Sequence, residues 1–192
     1  VLPFILPGDI TIGKQLEQLS ARADYATFSR DLRSWLRQAM NTALDGAWRA
    51  GQRPYIELLL GGDDLLLVTA ADLALPVTLK LAQEFEARSG SLTLAAGVVL
   101  AHADYPSAQL LKLAEKRLGD AKACSLQANY RTGAVDFEVV TSASGHEQET
   151  DKLYQNRRPY LLNDLAELLK HVQALQRFPA TQLQMMYESL HF

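Results

Sequence analysis

The tetrapeptide Gly61-Gly62-Asp63-Asp64 is the part of this sequence whose residue types and spacing most directly suggest chemistry. Two adjacent carboxylates on a strand point to opposite faces, yet at a tight turn both can reach a cation seated over it. Carboxylate oxygens are hard ligands suited to Mg²⁺ or Mn²⁺, and Mg²⁺ commonly shares its coordination between protein carboxylates and substrate phosphates. A pair of such ions would activate a ribose hydroxyl and stabilise a departing pyrophosphate. The glycines give the turn access to positive φ and let backbone approach a bulky triphosphate. The same four residues also read as a plain solvent-exposed Gly/Asp turn.

Asp9 is the natural third carboxylate, because it follows the first apolar segment, which the fold below sets beside the Gly-Asp hairpin. A turn or N-cap aspartate after Gly8 is the competing reading. Lys122, in Gly119-Asp120-Ala121-Lys122, could reach a triphosphate as a compact positive charge. It could equally serve the C-terminal end of a helix dipole. His102 beside Asp104 is a weaker candidate for substrate contact. His146, His171 and His191 are scattered, and the chain has no HExxH, CxxC or GxSxG motif. Trp35 and Trp48 read as core or interface aromatics.

These residues need elements to position them. An apolar stretch over 1–6 reads as a first strand, which its prolines either place at an edge or shorten. A long helix follows from about 14 to 47, with apolar residues at spacings of three and four, and the stretch 51–54 stops it. Apolar runs at 55–60 and 65–69 flank the Gly/Asp centre, the sequence form of a tight hairpin. A helix over 72–88 tolerates Pro76 near its first turn. A strand at 92–101 and a helix at 107–123 come next, and Cys124 follows as a buried, inert thiol. The order strand, helix, hairpin, helix, strand predicts an α+β, ferredoxin-like βαββαβ palm, with helices on one face of an antiparallel sheet. Beyond it lie a short strand at 136–140 and a polar, mobile loop at 145–158. Helices at 161–176 and 181–190 form a small C-terminal helical appendage. The domain reading is a palm over 1–143, a flexible loop over 144–158 and a helical segment over 159–192.

Composition bounds the partners. The 192 residues are 48% hydrophobic, as in an ordinary globular chain, and carry a formal net charge of −3. The chain as a whole is therefore not an electrostatic binder of nucleic acid or anionic lipid. A single cysteine excludes an internal disulfide and suits a reducing cytoplasm. No apolar run reaches the roughly 18 residues needed to span a bilayer. The proline-interrupted start lacks the basic flank of a signal peptide. A chain opening at Val1 without an initiator Met suggests a fragment of a larger machine.

Taken together, several runs resemble a known family. The segment 58–68 around Gly61-Gly62-Asp63-Asp64, the run Leu92-Thr93-Leu94-Ala95-Ala96-Gly97-Val98-Val99-Leu100-Ala101-His102-Ala103-Asp104-Tyr105-Pro106, the helix ending Asp120-Ala121-Lys122, and Arg157-Arg158-Pro159-Tyr160 before leucine-rich helices are similar to the palm of the large subunit of type III CRISPR effector complexes. That family is related to the GGDEF cyclases. Ala95 stands where members often carry serine, and the segment after Asp9 is less glycine-rich than usual in the family.

The resemblance implies a cytoplasmic enzyme of antiviral defence that makes cyclic oligoadenylates from ATP when its complex holds a matching target RNA. It implies that Asp63 and Asp64 hold Mg²⁺ or Mn²⁺, that Gly61 and Gly62 admit the phosphates, and that Lys122 contacts them. The family's His-Asp nuclease domain is absent here, so no nuclease activity is expected. The nucleotide's partner would lie on a second palm, from another copy, another subunit or another segment, so the chain alone should be a poor enzyme. Other effector subunits with guide and target RNA are the implied partners, and no membrane is. Two alternatives stand beside this reading. One is a degenerate palm that is only a structural or nucleotide-binding subunit. The other is a GGDEF-like cyclic dinucleotide synthase, disfavoured because Asp64 stands where that motif has Glu.

Overall fold

The computed structural model describes residues 4–10, 22–45, 53–140 and 157–189, with backbone alone at 4–10, 22–24 and 187. Outside these residues fall the ends of the long helix expected over 14–47, the greater part of the expected loop at 145–158, Trp48, His146 and His191. The elements are β1 (Phe4–Ile10), α1 (Arg22–Asp45), β2 (Tyr55–Gly61), β3 (Asp64–Thr69), α2 (Ala71–Ser89) and β4 (Leu94–Leu100). They continue with α3 (Ser107–Gln127), β5 (Ala134–Val139), β6 (Tyr160–Leu161), α4 (Leu162–Leu175) and α5 (Ala180–Ser189).

The six strands form one sheet in the order β2-β3-β1-β4-β5-β6. β1 runs antiparallel between β3 and β4, with Leu6 opposite Leu67, Gly8 opposite both Leu65 and Ala96, and Ile10 opposite Leu94. The first four strands with α1 and α2 are the expected βαββαβ palm, and those two helices share one face. Leu32, Leu36, Ala39, Met40, Ala43 and Leu44 of α1 bury one stripe at spacings of three and four. They meet Ala74, Val77, Leu81, Ala82 and Phe85 of α2 over Leu65, Leu67, Leu94, Ala96 and Val98 of the sheet. Phe85 and Leu36 are fully buried, and truncating such side chains to alanine costs about 3–5 kcal/mol.

The sheet extends past the expected palm. β5 joins β4 in parallel, and a parallel neighbour requires a crossover connection, which α3 supplies. That helix covers the opposite face, where Val99, Ala101, Leu110 and Ala114 cluster with Leu66 and Val68. β4 is buried on both faces as a result, which explains its unbroken apolar run. β6 adds antiparallel to β5, and Leu162 and Leu165 of α4 enter the main core. α5 leaves Met185 and Met186 exposed. No helix among the described residues is long and apolar enough to cross a membrane.

Two local details differ from expectation, and a third, the close of α2 at Gly90, agrees with it. Pro76 lies in the second turn of α2 and not near the first; the missing N–H is tolerated because both flanks of the helix are anchored in the core. α3 continues to Gln127, so Cys124 lies inside it, half-buried, with burial pushing its thiol above the ordinary value. Gly90, at φ 72°, ends α2 in the left-handed conformation and donates its N–H to Glu86 O.

Gly97 sets how closely α3 can approach β4. A Cβ there would lie 2.2 Å from Ala114 O and 2.4 Å from Leu118 N. Gly97→Ala must therefore push the helix off the sheet, and we expect a loss of about 1–3 kcal/mol in denaturant unfolding, as for other overpacked cores.

Glu86 ties α2 to the start of β5: its carboxylate accepts from Gly133 N–H and, at 3.4 Å, from Thr132 Oγ1. Burial raises its pKa, opposed by those two bonds. A carboxyl with a raised folded pKa holds its proton more tightly in the folded chain. The cost of its charge is thus absent below the ordinary value of 4.5, appears as pH rises past it, and is complete above the folded pKa. Glu86→Gln keeps an acceptor for Gly133 and removes the charge. We expect a higher melting temperature than wild type at neutral pH, with the difference vanishing below 4.5.

Candidate functional site

The β2–β3 connection is a two-residue turn. Gly61 pairs with Asp64, leaving Gly62 and Asp63 at the tip. Gly62 has φ 62°, while Asp63 is not in the left-handed region. That sign pattern belongs to the type II′ turn, whose twist suits a hairpin and whose first central residue is glycine. Of the two glycines, only Gly62 has a backbone that demands one. Gly61 lies in β2 with ordinary φ, and a Cβ there would meet Leu59 Cδ1 at a comfortable 3.9 Å. Asp63 is half-buried and Asp64 exposed.

Register brings Asp9 to this end of the sheet. Gly8 of β1 is opposite Leu65, so the next position along the antiparallel ladder sets Asp9 beside Asp64 at the backbone level; its side chain lies outside the described residues. The neighbouring strand places Ala95 opposite Asp9 on the other side. Ala95 in turn clusters with Ala121 of α3 and Ala134 of β5. Lys122 follows Ala121 directly, so the last turns of α3 lie at the same sheet end as the hairpin tip. Lys122 is solvent-exposed, and partial burial draws its pKa below the ordinary lysine value. His102 is elsewhere. It follows the far end of β4, roughly 20 Å along the strand from Leu94, and its carbonyl accepts from Tyr105 N–H in a turn.

Sequence reasoning missed a second polar constellation. Arg117 of α3, 12% exposed, lies 3.1 Å from Asp136 Oδ2, 3.1 Å from Glu138 Oε2 and 3.4 Å from Asp120 Oδ2. The contact to Glu138 is an ion pair without hydrogen-bond alignment, since Nε and Oε2 each lack a hydrogen-bond partner. Burial pulls the Arg117 pKa down, and the Asp136 and Glu138 carboxylates outweigh it, for a net rise. Asp136 is raised by burial against the opposing pull of Arg117 and Arg158. The signal was present in Val135-Asp136-Phe137-Glu138-Val139: alternating carboxylates on one strand face need a cationic cover. A cavity of about 540 Å³ lies beside this cluster, between α3, Asp136 and the Arg158-Pro159 segment. It is three strand steps, roughly 14 Å, from β3, and separate from the hairpin tip.

The family model of the Cas10/Cmr2 second palm domain matches residues 7–129, from β1 through the hairpin to the end of α3. This chain belongs to that family. Among solved structures, the Cas10/Cmr2 palm described here is similar to Csm1 in T. onnurineus, with a TM-score of 0.65 over 87% of the chain at 18% identity. It is similar also to the Csm1-Csm4 cassette in complex with cA3 (0.67, 93% and 19%) and with one ATP (0.65, 88% and 19%). The chain spans about a quarter of the length of these structures (24%, 25% and 24%). At such identity the likeness is one of fold. A comparison with curated proteins gives no match.

The two turn glycines of this palm should separate by experiment. Gly62→Ala puts a Cβ on a left-handed residue and should lose about 1 kcal/mol in denaturant melts. Gly61→Ala should leave stability unchanged within about 0.5 kcal/mol.

Proposed function

We propose that this palm binds ATP over the Gly62-Asp63 turn and performs metal-dependent nucleotidyl transfer, yielding cyclic or linear oligoadenylates in CRISPR-type antiviral defence. The observation that carries the reading is the carboxylate pair Asp63 and Asp64 at a two-residue turn, with Asp9 next to Asp64 in register. The donor set fits a hard divalent cation, because it offers only carboxylate oxygens. In this reading two donors come from the turn and the third from Asp9 of β1. Mg²⁺ or Mn²⁺ bound there would neutralise phosphate charge and acidify the attacking hydroxyl. Asp63 and Asp64 hold the ion, Gly61 leaves the backbone open to the phosphates, and Lys122 adds positive charge from α3.

Joining two nucleotides requires a second substrate held against the first, and one hairpin offers one triphosphate position. The complementary half then comes from a second palm, in another copy, another subunit or another segment. Exposed Ile56, Leu58 and Leu59 on the edge strand β2, beside the turn, support an assembly. The similarity to Csm1-Csm4 cassettes supports a further effector subunit as partner; guide and target RNA are proposed alongside it.

The test is product formation from ATP with Mg²⁺ or Mn²⁺, at rising protein concentration and with a partner palm supplied. Asp63→Ala and Asp64→Ala should each lower the rate by at least about two orders of magnitude, since even groups that merely support metal ligands are worth 10–100-fold. Their melting temperatures should stay near wild type, because neither side chain lies in the core. Product formation at the wild-type rate in either variant would overturn the assignment. Tight ATP binding without product under every condition would leave a nucleotide-binding subunit in its place.

A further inference from the structure

We infer that Arg117 is a positioning residue for Lys122, fixing the rotation and axial register of α3 so that the lysine stands over the β1–β3 side of the hairpin end. This rests on the proposed nucleotide site and deepens it. α3 meets the sheet through Leu110 and Ala114 over Val99 and Ala101, and through Ala121 over Ala95 and Ala134. These apolar contacts allow close approach at Gly97 but carry no hydrogen-bond direction. The directional contact is Arg117, whose guanidinium engages Asp136 and Glu138, two residues apart on one face of β5. The hydrogen bond to Asp136 Oδ2 and the ion pair to Glu138 hold the guanidinium at two places along the strand, and so restrict both translation and rotation of the helix.

Helical phase puts the lysine on the opposite flank. Leu111, Leu118 and Lys122 fall seven and four residues apart, on one stripe of α3. Arg117 reaches Asp136 of β5, and Cys124, seven residues on and on the same stripe, has its Sγ 3.9 Å from Pro159 O, so that flank faces β5 and β6. The stripe of Leu111, Leu118 and Lys122 is on the other flank, toward β1 and β3. Lys122 is five residues past Arg117, about 7.5 Å along the axis toward the hairpin end. A slip of α3 by 1 Å would carry the lysine with it, and displacements of that size at a reacting centre can cost about 10²-fold.

The test compares ATP and AMP affinities by calorimetry, with Mg²⁺, in wild type, Lys122→Ala, Arg117→Lys and Asp120→Asn. Arg117→Lys keeps the charge beside buried Asp136 and loses the fork, so it should remain folded. Arg117→Lys should reproduce most of the loss of ATP-over-AMP preference seen in Lys122→Ala, on the order of five- to tenfold. AMP affinity should be unchanged in both. Asp120, half-exposed and the most distant of the three carboxylates, should matter little. Lost preference in Lys122→Ala with full preference in Arg117→Lys would overturn the positioning role and leave the nucleotide site intact. Equal loss of ATP and AMP binding in Arg117→Lys would overturn it in favour of general destabilisation. Unchanged preference in Lys122→Ala would overturn the role of the lysine, and this inference with it. Should Arg117→Lys melt below the assay temperature, Asp136→Asn, which weakens the same fork, must lower the preference as well; full preference there overturns the proposal.

Discussion

The left-handed backbone of Gly62 is the constraint from which the site follows. A two-residue closure fixes Gly61 opposite Asp64 and with it the register of β2 against β3. In a strand every shift by one residue exchanges the two faces. Leu65 and Leu67 would then leave the core over α1 and α2 for the face under α3, and Leu66 and Val68 would replace them. Because both faces of β3 are covered, by differently shaped neighbours, the register is held from both sides. The Asp63–Asp64 pair is consequently delivered to one defined place by the packing of residues that never touch a ligand.

β1 transmits that register across the sheet. It pairs with β3 on one side and β4 on the other, so a single strand sets Asp9 relative to both Asp64 and Ala95. From β4 the order passes through Gly97 to α3, where the missing Cβ lets the helix backbone approach the strand. The steps from the turn through β1 to Gly97 are steric or hydrogen-bonded, and charge enters only in the seating of α3. The candidate site is therefore built largely in advance of any cation or nucleotide, which is the condition for electrostatic groups to act without reorganising.

Much of this was legible in the sequence because the signals were local. Two apolar runs around a Gly/Asp centre announce a hairpin, and the three- and four-residue spacing from Leu32 to Leu44 announces the buried stripe of α1. The order of elements then specified the palm. Less legible were features that depend on what arrives later in the chain. The parallel placement of β5 is decided by where α3 docks, and docking depends on a void at Gly97 that no periodicity reveals. Pro76 misled for a related reason: its local penalty places it in a first turn, whereas core contacts from Ala74 to Phe85 hold it in the second. Arg117 escaped notice because an arginine on an amphipathic helix ordinarily belongs to the solvated face, and only the strand beyond supplied its partners.

That ion cluster also bears on why α3 is held by charge at all. Buried ion pairs are poor sources of stability, since desolvation offsets much of the Coulomb attraction, and well-packed apolar replacements often do as well. Asp136 is 1% exposed and its pKa is raised by burial in spite of two nearby guanidiniums, so the cluster does not contribute stability cheaply. What it supplies is direction. An apolar helix face accepts a range of neighbouring rotations with little change in buried area, whereas a guanidinium between carboxylates at positions 136 and 138 accepts one. The helix so constrained carries its polar residues to the sheet end where the aspartates gather. A contact costly in stability and strict in geometry is reasonable there if, as proposed, the end of α3 meets a site whose other half is fixed by the turn at Gly62.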